Sequence, residues 1–91
     1  MITLTRVGNN VHIEVNGNHV GTCQNMHAST VRGEARYALA AGLYFPHHFS
    51  RRGSALVSES SPSVMYRYAS RMDEHLTQFP SLWAWSLSEQ L

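Results

Sequence analysis

The stretch Pro46-His47-His48-Phe49-Ser50-Arg51-Arg52-Gly53 gathers side chains that often carry chemistry. Imidazoles ligate zinc or move protons, guanidiniums clamp phosphate or carboxylate, and an aromatic ring among them can stack on a base or anchor a contact. Upstream, Cys23 and His27 are spaced Cys-x3-His. Zinc takes sulfur and nitrogen ligands tetrahedrally, so Cys23, His27, His47 and His48 would make four if the later stretch folded back. Spacing argues against that set, because neighbouring histidines rarely aim at one ion and no Cys-x2-Cys half-site anchors it. The expectation is a buried strand-end cysteine, solvated loop histidines and no metal.

Covalent catalysis finds no better footing. Cys23 beside His27 or His12 could be activated as a thiolate, but a dyad also needs an orienting partner and an oxyanion hole, and free cysteine is among the residue types most often simply buried. The carboxylates are dispersed over Glu14, Glu34, Glu59, Asp73, Glu74 and Glu89, with no pair set up for acid and base roles. No glycine-rich phosphate cradle occurs. The sequence therefore predicts a protein that is not an enzyme and takes no cofactor.

Composition narrows the class further. The chain has 91 residues, enough for one domain with a modest core, and 43% of them are hydrophobic. Only 14% are charged, against roughly 25% in an average domain, and a surface short of charge often meets another protein. All seven basic residues are arginine, and six acids reduce the net charge to +1. That balance is too weak for a dedicated nucleic-acid binder and too basic for an acidic DNA mimic. Arginine without lysine suits interfaces, since guanidinium is weakly hydrated and bonds in forks, although coding-genome composition explains it equally. One cysteine excludes an internal disulfide and fits a reducing compartment. The start, MITLTRVGNN, is not a secretory signal, and no apolar run approaches the roughly 20 residues that span a bilayer. The expected location is the cytoplasm, away from membranes.

The elements that must position these groups read as α+β in a single domain, residues 1–91. Residues 1–24 form a three-stranded antiparallel β-meander, with Ile2 and Leu4, then Val11, Ile13 and Val15, alternating with polar residues. Asn16-Gly17 is the preferred pair for a type I′ turn and would set Ile13 opposite Val20 and Glu14 opposite His19. A first helix is predicted over 28–42, capped by Ser29 or Thr30 and closed by Gly42. Its stripe of Val31, Ala35, Ala38 and Leu39 is narrow enough to lie close on the sheet. Residues 43–61 have no period and read as a long connecting loop. Ser61-Pro62 then starts a second helix over 62–79, with Met65, Tyr68, Met72, Leu76 and Phe79 at helical spacing. In 81–91, Trp83, Trp85 and Leu87 alternate with small residues, which favours a fourth strand beside the first over a third short helix.

Two kinds of partner follow for one surface. Arg51 and Arg52, with Tyr44, Phe45 and Phe49 interleaved, could clamp phosphate and stack a base, and a meander followed by a helix is an order some small DNA-binding domains use. The outer strand face argues against DNA, since it offers His12, Glu14 and His19 with a single arginine, Arg6. A protein partner explains more features together, because aromatics and arginines dominate binding hot spots. The contact set is Tyr44, Phe45, Phe49, Arg51 and Arg52, joined by Arg67 and Arg71 four residues apart on the second helix. Homodimerisation would satisfy the same aromatics.

In organisation the chain resembles small phage-encoded host-factor inhibitors, including anti-CRISPR proteins. The residues behind this are the meander ITLTRVGNNVHIEVNGNHVGTC and the helical segments ARYALAAGL and VMYRYASRMDEHL, with no active-site motif between them. The resemblance is architectural, covers most of the chain and carries over no functional residue. It implies stoichiometric binding to a host protein or nucleoprotein complex, blocking a site by occupancy.

Overall fold

The alternation of apolar and polar residues near the start produces two strands, β1 (Ile2–Val7) and β2 (Asn10–Val15), paired antiparallel with Ile2 opposite Val15 and Leu4 opposite Ile13. The computed structural model describes residues 1–69. Strand β3 (Asn18–Cys23) follows the Asn16-Gly17 turn, where φ is 52° and 83°, the positive pair that a type I′ turn requires. Glu14 faces His19 across β2 and β3, as the turn predicts.

Past that pair the register departs from expectation. Ile13 lies opposite Gly21 instead of Val20, and a bulge between Ile13 and Glu14 leaves Val20 as the extra residue. The helix above supplies the reason. A Cβ at position 21 would lie 2.5 Å from the Ala35 Cβ, so only glycine fits under that alanine.

Helix α1 (Gly33–Tyr44) begins later than the predicted 28–42. Thr30, expected to cap it, closes the preceding turns: its Oγ1 donates to the His27 carbonyl at 2.7 Å and accepts the Gln24 N–H at 3.0 Å. Residues Gln24–Met26 and Ala28–Thr30 form short 3-10 turns, and Arg32 takes the N-cap position without a side-chain cap. Gly42 does not close the helix. It lies inside α1, where a Cβ would come within 2.6 Å of Leu4 Cδ1 and 3.7 Å of the Phe49 ring. Ala35, Ala38, Ala40 and Ala41 are all buried with Leu39 and Leu43, so α1 rests on the sheet through small side chains.

Residues 43–61 are not the long loop the sequence suggests. A 3-10 turn (Pro46–His48) leads into a hairpin of β4 (Ser50–Arg52) and β5 (Ala55–Ser58). Strand β5 pairs antiparallel with β1, with Leu4 opposite Leu56, giving one five-stranded sheet in the order β3-β2-β1-β5-β4. The place beside β1, which the sequence pattern assigns to the 81–91 segment, therefore belongs to β5; residues 81–91 themselves lie outside the described residues. The α+β class and the opening meander hold, and the sheet is larger than three or four strands.

Helix α2 (Pro62–Ala69) starts where Ser61-Pro62 predicts, with the Met65 N–H bonded to the Ser61 carbonyl at 3.4 Å. The rest of the predicted 62–79 helix lies outside the described residues. Its Met65 and Ala69, one turn apart, are buried in the core formed by α1 and the inner sheet face, and Ser58 Oγ donates to Met65 Sδ at 3.7 Å. Among the described residues no helix is long and apolar enough to cross a membrane.

Leu56 distinguishes a core strand from an exposed connection. Leu56→Ala is expected to cost about 2–5 kcal/mol in chemical denaturation, the usual range for a buried leucine. A cost below about 0.5 kcal/mol, typical of a surface position, would contradict β5 as a core strand.

Candidate functional site

The expected contact residues separate into groups with different fates. Tyr44 ends α1 half-buried, and Phe45 follows it, half-buried against the core. The chain then turns sharply through Pro46–His48, and Phe49 points inward, only 6% exposed and against Gly42. Phe49, expected at the contact surface, is thus a core residue. Aperiodic sequence hides this, because the cavity it fills is created by a glycine seven residues earlier on α1.

Arg51 and Arg52, expected in one contact set, do not share a face of the sheet. As neighbours on β4 they leave opposite faces: Arg51 pairs with Leu56, on the helix-covered face, and Arg52 with Ala55, on the open one. Arg51 Nε donates to the Gly53 carbonyl at 3.1 Å. Arg52 forms an ion pair with Glu59 at 3.3 Å. Both partners are well exposed, so that pair contributes at most about 1 kcal/mol. Arg67 is exposed on α2, and Arg71 lies outside the described residues.

The turn after α1 and the second helix do meet, through rings. Phe45 packs edge-on against His48, with centroids 6.1 Å apart, and against Tyr68, with centroids 6.2 Å apart. Tyr68 stands at helical spacing from Met65 in the sequence, but it does not share the inward face of α2. Tyr68 is 50% exposed, and Val64, one turn before it, is 53% exposed. The helical spacing of Val64 and Tyr68 is legible in the sequence, but Met65 and Ala69 carry the inward face. Which of two i, i+4 pairs faces inward depends on how α2 lies on α1.

The groups considered for metal or covalent chemistry are dispersed. Cys23 is fully buried, and burial pushes its thiol up to about 11, outweighing the opposing effect of its hydrogen bond with the Thr30 side chain. Near neutrality it is a protonated, inaccessible thiol. His27 is exposed, His48 Nδ1 lies 3.1 Å from Ser60 Oγ, and the rings of His47 and His48 are 6.4 Å apart. Among the described residues no three His, Cys, Asp or Glu side chains are gathered to hold an ion.

Tyr66 lies between α2 and α1, its ring 6.2 Å from that of Tyr37. Its hydroxyl is buried without a hydrogen-bond partner among the described residues. Burial, together with the Glu34 carboxylate, pushes this phenol up to about 12.

No protein-family model matches the chain, and no curated protein or solved structure is significantly similar to it.

Tyr66→Phe removes a dehydrated hydroxyl and little else. The variant is expected to keep its unfolding free energy or gain up to about 1 kcal/mol in urea denaturation. A loss of about 1 kcal/mol or more would show that the hydroxyl is bonded and that its place in the α1–α2 contact has been misread.

Proposed function

We propose that this chain is a non-enzymatic binding module that inhibits or modulates a larger host protein or nucleoprotein complex by occupancy, acting in the cytoplasm. One observation carries the reading: α2 presents Val64 and Tyr68 to solvent one turn apart, at 53% and 50% exposure, and Tyr68 is braced from behind by the edge of Phe45. A braced tyrosine contributes large contact area with little further loss of freedom, and tyrosine and arginine are the usual anchors of protein interfaces. Arg67 lies beside them on the same helix.

This mode of action is the one implied by the resemblance to small phage-encoded host-factor inhibitors. A nucleic-acid role for the 44–52 stretch gains less support, because Arg51 and Arg52 diverge, Arg52 is paired with Glu59, and Phe49 is buried. The contact surface proposed is therefore Val64, Arg67 and Tyr68 of α2 with Phe45 against Tyr68; Tyr44, Arg51 and Arg52 are not placed in it.

The test is capture from native lysate on the immobilised protein, compared with a Val64→Ser, Tyr68→Ser variant of unchanged thermal stability. A protein captured in stoichiometric amount should lose affinity about tenfold or more in the double variant. Its binding should persist at high salt, because apolar contacts release few ions. Equal capture by the double variant, or capture of nucleic acid alone that disappears steeply with salt, would overturn the reading. Light scattering on the pure protein distinguishes a second copy of the chain from another protein as the occupant.

A further inference from the structure

The face of the sheet turned away from α1 carries a histidine pair that the contact surface on α2 does not use. Along β2, His12 and Glu14 alternate with the buried Val11, Ile13 and Val15, so they stand on the open face. His19 on β3 is opposite Glu14, and Thr22 is opposite His12, which places the four side chains in one block on two adjacent strands. The bulge at Val20 adds a residue to β3 between His19 and Thr22, and both remain opposite the outward residues of β2.

The two imidazole rings have centroids 5.6 Å apart and are tilted 54°. Two imidazoles bound to one tetrahedral ion, each with about 2.0–2.1 Å from nitrogen to metal, have ring centres roughly 5–5.5 Å apart. His19 is already held by one ring nitrogen, since Nε2 lies 3.1 Å from the Oγ1 of Thr22, the residue opposite His12. This is the hydrogen bond that ligating histidines typically make with the nitrogen that does not bind, leaving Nδ1 for an ion.

From this arrangement we propose that His12 and His19 form a two-histidine site for a divalent transition-metal ion of the class that prefers imidazole, such as Ni2+, Cu2+ or Zn2+. No third His, Cys, Asp or Glu among the described residues completes the ligand set, so water occupies the remaining positions and the ion exchanges readily. Glu14, paired with His19 across the strands, adds a negative charge to the same face. Thr22 is a positioning residue for His19.

The test uses untagged full-length protein and Ni2+ alone, followed by calorimetry and by paramagnetic broadening of the imidazole NMR signals. The expected result is one ion per chain, with the His12 and His19 signals broadened before those of His27, His47 and His48. His12→Gln and His19→Gln should each weaken binding about tenfold or more, whereas His47→Gln with His48→Gln should leave it unchanged. His19 is exposed, so its variant remains informative if substitution of the half-buried His12 disturbs the fold. Absence of binding, earlier broadening of His47 and His48, or unchanged affinity in His19→Gln would reduce the pair to two packed rings and overturn the proposal.

Discussion

The fold depends on how closely α1 can approach the sheet. Two glycines set that distance from opposite sides: Gly21 on β3 lies under Ala35, and Gly42 on α1 lies over Leu4. At either position a single added carbon would stand closer than 3 Å to a neighbour. The register of β2 with β3 follows from the same contact. A hairpin with a two-residue turn would set Val20 opposite Ile13, and the bulge moves the glycine into that place at the cost of one unpaired residue.

A close helix of alanines buries little area per residue, so the core must be completed by larger side chains from elsewhere. Phe49 fills the space that Gly42 leaves, and Leu56 on β5 extends the inner face of the sheet beside Leu4. The segment between the helices is therefore structural, and it closes the exposed side of β1. Among the described residues of α2, Met65 and Ala69 are buried in that core and Tyr66 packs against it, while Val64 and Tyr68 face solvent. The proposed contact surface thus lies on the exposed face of α2, away from its buried Met65 and Ala69.

Local pattern makes the first half of this structure readable and leaves the second half obscure. Strict alternation over residues 2–15 and the Asn16-Gly17 turn specify a meander, because strand period and turn chemistry are properties of a few adjacent residues. Ser61-Pro62 marks the start of α2 for the same reason. The β4–β5 hairpin has no such signature: Ser50, Arg51 and Arg52 are all exposed, and Leu56, Val57 and Ser58 are all buried. Glycine is the most misleading residue type. Gly42 reads as a helix terminator by itself, and only the position of Leu4, nearly forty residues away in the chain, shows that its use is close approach. The candidate surface is half legible. Phe45 belongs to it, whereas Phe49 is lost to the core and Tyr68 is gained from it, since exposure at both positions is decided by tertiary contact.

The most direct measurement is a double-mutant cycle between Gly21 and Ala35 by equilibrium denaturation. Gly21→Ala should destabilise by about 1–3 kcal/mol through overpacking, and Ala35→Gly by about 1 kcal/mol through helix propensity. If contact between these two positions sets the spacing of helix and sheet, the double variant recovers stability, and its loss falls short of the sum by about 1 kcal/mol or more. Losses that add to within about 0.5 kcal/mol would show that the two positions do not sense each other, and close approach at Gly21 would then not be what sets the helix on the sheet.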